Sequence, residues 1–254
     1  MTATPPNLRC FVIHLERAYE RAPQVQKLVD TLPFETEIVS AIDGMAGSLD
    51  ANLFYRRSLF KPEYPFSLRL AEVATFLSHR KAWQRIVDED FDAGLILEDD
   101  VDFLKPDFDK ALSLVMGNLR QGDFVRFPMK LRETLADEIA TDNDVKLFRP
   151  IHIGLGAQAQ LVSREAAKRL LIKTQKFDRP IDTYLQLFWE HGVRVLSVWP
   201  NGINENSESL GGSLIGAKQP FRTKVKHEFQ RPIYRMKLHS LTRKKASLGT
   251  NRSH

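Results

Sequence analysis

Apolar residues along this chain fall into short unbroken runs alternating with helical stripes. Residues 8–15 (LRCFVIHL) are apolar for most of their length, which predicts a buried strand. Helical character follows over residues 16–31, and Pro23 fits the first turn if the helix proper starts near Ala22. Val25, Leu28, Val29 and Leu32 then supply an i, i+3, i+4, i+7 face. Residues 35–41 read as a second strand, closed by the turn Ile42-Asp43-Gly44. Strand, helix and strand at this spacing form a βαβ unit, whose strands should be parallel and whose crossover should be right-handed.

Residues 45–66 hold Pro62 and Pro65 and read as a loop with one helical turn at most. The longest clear helix is expected over residues 68–89, with Val73, Phe76, Leu77, Trp83 and Val87 buried. Glu72, Thr75 and His79 share an adjoining row of that helix, at offsets of three and four. Beyond it, the pattern predicts a helix from Pro106 to about 119, strands at 124–127 and 145–148 separated by a polar acidic loop, and a strand within 154–162. Ser163 is placed to cap a helix over 164–173. Pro180-Ile181-Asp182 opens another helix, with Leu185, Phe188 and Trp189 inward and Gly192 at its end. Residues 193–198 form a last strand, and the Asn-, Ser- and Gly-rich stretch 201–216 reads as a mobile loop.

The chemistry concentrates in residues 94–103 (GLILEDDVDF), where an apolar run too short for a helix ends in four carboxylates within five residues. A buried strand would deliver those acids to the carboxyl edge of a sheet, where open α/β sheets bind ligands. Nothing basic lies between them, and a hard divalent cation with oxygen ligands is the simplest relief of their repulsion. A solvated acidic turn is the plain alternative. Two functional readings compete with it. Glu98 and Asp100 could form a D-x-D-like pair holding a metal on a nucleotide-sugar diphosphate, or Asp100-Val101-Asp102 could be the nucleophile loop of a haloacid-dehalogenase-like phosphatase. That loop normally continues into Thr or Val, whereas Phe103-Leu104 follows here, so the first reading fits better. There is no G-x-G-x-x-G and no P-loop, which removes support for NAD and ATP readings.

Composition changes the picture mainly through charge. With 254 residues, 43% hydrophobic and 27% charged, the chain is ordinary for a soluble α/β protein with a substantial core. Its net charge of +5 is unevenly spread. Residues 217–254 carry 11 Lys and Arg against Glu228, leaving 26 basic and 31 acidic residues, net −5, in the other 216. The single cysteine, Cys10, rules out a disulfide framework and agrees with a reducing compartment. No apolar run reaches the ~18 residues of a membrane span, and residues 1–7 show no signal-peptide pattern.

Several of these stretches, in order, resemble glycosyltransferase family 25, the lipooligosaccharide-biosynthesis galactosyltransferases and their relatives. Val12-Ile13-His14-Leu15-Glu16-Arg17 is similar to the family's opening strand, and Ala41-Ile42-Asp43-Gly44 to its Ala-Val-Asp-Gly turn. Residues 72–83, with Ser78-His79, resemble its Ser-His helix, and residues 95–101 (LILEDDV) its most specific signature. Leu161-Val162-Ser163 and Pro180-Ile181-Asp182 fit its downstream blocks, so the likeness covers residues 9–200. His14 stands for the usual Asn, Thr75 for Cys, Gln160 for Tyr and Ala166 for Gly.

The resemblance implies a GT-A-like single domain over 1–216, with a mostly parallel central sheet flanked by helices. It also implies inverting transfer of galactose or a related hexose from a UDP-sugar, with Mn²⁺ or Mg²⁺, to a lipooligosaccharide, lipopolysaccharide or other cell-surface glycan. On this reading Asp100 is the first metal ligand, with Glu98 beside it or turned to the ribose, and Asp99 acts in support. His14, Arg17, Asp43, Gly44 and His79 form the donor side. Asp182 is the first choice of general base, ahead of Glu190 and Asp102, and an N-terminal helix cap is its plain alternative. Arg80 and Lys81 are phosphate partners or solvated helix charges, and Gly154-Leu155-Gly156 allows close packing or an acceptor contact. A non-catalytic nucleotide-sugar-binding relative is the second function class. The basic segment 217–254 is expected to be a partly helical or disordered tail. Tyr234, Leu238 and Leu241 would give it an apolar stripe for docking on an anionic membrane, where a lipid-linked acceptor is presented. Nucleic acid is not expected, because stacking aromatics are not interleaved with its last Arg-Lys-Lys run. The expected location is cytoplasmic, peripheral on the inner membrane.

Overall fold

A computed structural model describes the backbone of residues 7–205 and 221–250 and the side chains of residues 7–204 and 230–246. Its first unit is the expected one: β1 (Leu8–His14), α1 (Ala22–Thr31) and β2 (Thr36–Ser40), the two strands parallel. A 3₁₀ turn, Tyr19–Arg21, leads into α1, and Pro23 occupies its first turn, where no amide donor is needed. The long helix is α2 (Leu70–Asp88), followed by β3 (Ala93–Glu98) and a short β4 (Val101–Phe103). Then come α3 (Lys105–Asn118), β5 (Asp123–Arg126), β6 (Leu135–Asp142), β7 (Val145–Pro150) and β8 (Ala159–Ser163). Helices α4 (Arg164–Lys173), α5 (Ile181–Leu185) and α6 (Phe188–His191) precede β9 (Arg194–Trp199) and β10 (Ile203–Glu205), and α7 (Phe221–Thr250) comes last.

Eight strands form one sheet in the order β2-β1-β3-β8-β5-β9-β7-β6, and β10 pairs with β4 as a separate ribbon. β8 and β7 run against the other strands, so the sheet is mostly parallel in direction, with a GT-A-like arrangement. Helices cover both faces. Phe11, Phe76, Trp83 and Phe124 belong to the core under α2 and α4, while Cys10, Val12, Phe108 and Val115 belong to the core under α1 and α3. A strand buried on both faces needs no polar alternation, which is why β1 and β3 read as continuous apolar runs. Truncating a ring such as Trp83, fully buried beneath α2, should cost ~3–5 kcal/mol.

Three departures from the sequence reading have physical causes. The acidic loop before residue 145 contains β6, a largely exposed edge strand whose apolar Leu135, Ala136, Ile139 and Ala140 fall in adjacent pairs and leave no alternation to read. The single helix expected after Pro180 is two short ones, α5 and α6. Leu187 between them is fully buried, while Phe188 and Trp189 are only half-buried. The basic segment forms α7, whose Tyr234, Leu238 and Thr242 are buried against the domain. The stripe of Tyr234, Leu238 and half-buried Leu241 thus faces protein rather than lipid. Among the described residues no helix is long and apolar enough to cross a membrane. Of the mobile loop expected over 201–216, residues 203–205 instead form β10 against β4, and residues 206–216 lie outside the described residues, as do residues 1–6, Lys218 and Arg252.

Candidate functional site

β3 ends at Glu98, beside Ile13 of β1, and the chain turns through Asp99 and Asp100 before β4. The three carboxylates therefore sit at the carboxyl ends of adjacent parallel strands, the expected place for a ligand. They take three different roles. Asp99 points inward, 5% exposed, and accepts from Arg21 Nη1 at 2.5 Å and pairs with His14 Nδ1 at 2.8 Å. Glu98 pairs with His79 Nε2 at 3.0 Å. Asp100 has one oxygen 3.4 Å from Arg21 Nη1 and the other, Oδ1, buried with no partner among the described residues.

Arg21 is a counter-charge that the sequence reading missed. It is buried at the start of α1, and its partners lie 78 and 79 residues away, so no local spacing could reveal it. It relieves the acidic repulsion only in part. Burial and the Glu98 carboxylate still push Asp100 up to about 7, with Arg21 pulling the other way. That surplus of negative charge and the orphaned oxygen fit a divalent cation at Asp100 and Glu98. Among the described residues no three His, Cys, Asp or Glu side chains converge as ligands. A cation here would complete its shell from substrate oxygens and water, a usual arrangement for Mg²⁺ on phosphates.

Adjacent residues of α2 hold the two walls of the cleft. Ser78 Oγ accepts the Ile42 amide at 2.9 Å and donates to Ala74 O, fixing the turn after β2. His79, fully buried, reaches Glu98 instead, and Gln160 Nε2 of β8 donates to its Nδ1 at 2.7 Å. With Nδ1 accepting, the Nε2–H of His79 donates to Glu98 and sets the direction of that carboxylate. Gln160 was visible in the sequence only as a departure from the family pattern.

In the turn, Asp43 accepts the Met45 amide at 2.8 Å and Arg17 Nε at 2.7 Å, and both hold its carboxyl below the usual range. Gly44 is required by space: a Cβ there would lie 2.8 Å from backbone atoms of Leu70, in the first turn of α2. Arg17, Asp43, Gly44, His79, Glu98, Asp99 and Asp100 together line one cavity of about 120 Å³. His14 does not line it and stands behind Asp99.

Asp182 lines an adjoining cavity of about 780 Å³, which shares Glu98 and Thr75 with the first. It lies in the first turn of α5 and is half-buried. Its carboxylate accepts the Thr183 amide at 2.6 Å and the Gly156 amide at 3.1 Å. It is therefore more than a local cap, because Gly156 belongs to a loop held from behind. A buried Arg126–Glu133 pair binds that loop: Arg126 donates to Leu155 O and Gly156 O, and Glu133 accepts the Gly154 amide. Gly156, at φ +97°, takes a conformation that other residues rarely adopt. Of the other base candidates, Asp102 is paired with Lys27, and Glu190 lines neither cavity. Arg80 is spent on Leu171 O and Thr174, and Lys81 on Ser40 O. Glu72 caps α2 by accepting the Arg69 amide.

Comparison with known proteins meets this geometry. Residues 7–185 match the family described as glycosyltransferase family 25 (LPS biosynthesis protein). The chain is 30% identical over 191 residues to a glycosyltransferase 25 family member of Anopheles gambiae, covering 71% of this chain and 31% of that one. It is 28% identical to a Drosophila melanogaster family member, covering 72% and 31%. Against procollagen galactosyltransferase 2 of Homo sapiens the identity is 26%, covering 70% and 30%. The chain spans about three-tenths of the length of these curated relatives.

Proposed function

The chain belongs to glycosyltransferase family 25, and from that premise we propose that it transfers a hexose from a UDP-sugar to a glycan acceptor with inversion, assisted by Mn²⁺ or Mg²⁺. The observation that carries the reading is the meeting of two cavities at Glu98, one lined by Asp100 and the Arg17–Asp43 pair, the other by Asp182. The first suits the nucleotide diphosphate and the second the acceptor. Galactose is favoured as the sugar by the galactosyltransferase among the relatives, and a lipopolysaccharide-type acceptor by the family's description.

Glu98 and Asp100 would hold the cation, which when bound would neutralise the charge growing on the departing diphosphate. The chain's own residues do the remaining work. Arg21 and His14 hold Asp99 behind the cluster and fix the turn that presents Asp100. His79 keeps Glu98 directed into the cleft, and Arg17 and Asp43 border the nucleotide side. Asp182, aimed by Gly156 and Thr183, takes the proton from the acceptor hydroxyl as that oxygen attacks, which suits a single displacement. The exposed face of α7, with Lys237, Arg243 and Lys245, supports peripheral attachment to an anionic membrane through charge alone. Pelleting with anionic vesicles that disappears at high salt is the expected behaviour.

The test is incubation with UDP-galactose, UDP-glucose, UDP-N-acetylglucosamine and GDP-sugars in Mn²⁺, following release of nucleoside diphosphate. Release from one UDP-sugar supports the reading. Tight binding without release would favour a non-catalytic nucleotide-sugar-binding protein, and cleavage of phosphomonoesters instead would revive the phosphatase alternative.

A further inference from the structure

We propose that the acceptor is an anionic glycan, carrying a phosphate or carboxylate near the hydroxyl that receives the sugar. The inference rests on reading the larger cavity as the acceptor side. Its charges are divided. Glu72, Glu98 and Asp182 contribute acid from α2, β3 and α5, while Arg132, Arg231 and Arg235 contribute three guanidiniums from the 127–134 connection and α7. Arg231 and Arg235 are one helical turn apart and share the face of α7 that carries Tyr234 and Leu238 into the domain.

None of these three arginines has a carboxylate within ion-pair distance among the described residues. Several arginines elsewhere are neutralised by carboxylates, as in Arg17–Asp43, Arg85–Glu37 and Arg194–Asp123. Arg231 lies over the ring of Phe66, 5.8 Å from its centroid, and the ring leaves its donors available. Two like charges at i, i+4 disfavour a helix, and grouping three beside one cavity adds repulsion that a bound anion removes. Guanidinium forks match phosphate and carboxylate oxygens in pairs, which gives orientation as well as attraction. An acceptor held by its anion on the α7 side would present a hydroxyl toward Asp182. A cationic acceptor would meet the arginines with like charge.

The experiment measures binding of glucose, glucose 6-phosphate and glucuronate to the full chain by ligand-observed NMR, so that it does not depend on turnover. Either anionic hexose should bind at least ~10-fold tighter than glucose, and the advantage should shrink with salt. Preference for one anion identifies phosphate or carboxylate as the group recognised. The pair R231Q/R235Q should reduce the advantage about tenfold, and R132Q, on a separate element, should reduce it even if α7 packing suffers in the first variant. Equal binding of all three sugars overturns the proposal. So does an anion preference that survives all three substitutions, since the anion would then sit elsewhere. UDP-sugar hydrolysis by the wild type, measured alongside, reports separately on the glycosyltransferase reading.

Discussion

Replacing Asp100 by Asn should stabilise the protein above neutral pH even as it disables the site. In the folded chain, burial and Glu98 raise this carboxyl from 3.8 to about 7. A group raised in this way stabilises the fold while protonated. Its contribution is fully present below 3.8 and is lost as the pH climbs through about 7. At about 1.4 kcal/mol per pH unit, the displacement is worth roughly 4 kcal/mol between the two protonation states. The variant gives some of this back, because Arg21 loses a charged neighbour at 3.4 Å. A net gain of about 1–3 kcal/mol at pH 8 is expected, which is ~2–10 °C in Tm for a chain of this size. The assay is thermal unfolding followed by circular dichroism at pH 5 and pH 8, in EDTA so that no cation neutralises the wild-type cluster. The variant's advantage should be clear at pH 8 and shrink or reverse at pH 5, where the wild-type carboxyl is largely protonated. A variant destabilised equally at both pH values would refute the argument that Asp100 is held ionised at a cost.

Three further substitutions probe other links. Asp182→Asn should lower turnover by ~10²–10⁴ while leaving donor affinity within about twofold, whereas a mere helix cap would cost ~1 kcal/mol of stability and little rate; kinetics and Tm on the same protein separate the two. Glu133→Gln leaves Arg126 charged and buried without its partner, and should lower stability by ~3–5 kcal/mol in urea unfolding. Gly44→Ala forces a methyl against the α2 backbone, and should weaken UDP binding at least ~10-fold in a titration, because the turn bearing Asp43 must move.

Much of this architecture was legible in the sequence because its signals are local. The βαβ unit, α2, the Ser163 cap and the acidic end of β3 each announce themselves within a few residues, and Ser163 does accept the Ala166 amide. The edge strand β6 gave no such signal, since exposure on an edge removes the periodicity that marks a strand. Side-chain partnerships across the fold were also out of reach. Arg21 with Asp99, Gln160 with His79, and Arg126 with the 154–156 loop join residues brought together only by the sheet order. The covered face of α7 was misjudged for a related reason. An amphipathic basic helix has the same pattern whether its stripe meets a bilayer or the protein's own body, and here the burial of Tyr234 and Leu238 in the core, with Arg179 donating to Tyr234 Oη at 2.9 Å, decides it.

On the proposed function, Asp100 and Glu98 bind a nucleotide diphosphate through a divalent cation. Calorimetric titration of UDP into the wild type and Asp100→Asn, each with Mn²⁺ and with EDTA, tests it most directly. The wild type should bind UDP in Mn²⁺ and lose at least ~10-fold in affinity in EDTA, while the variant should bind weakly and equally in both. Wild-type affinity unchanged by EDTA, or an Mn²⁺ response retained without Asp100, would contradict it.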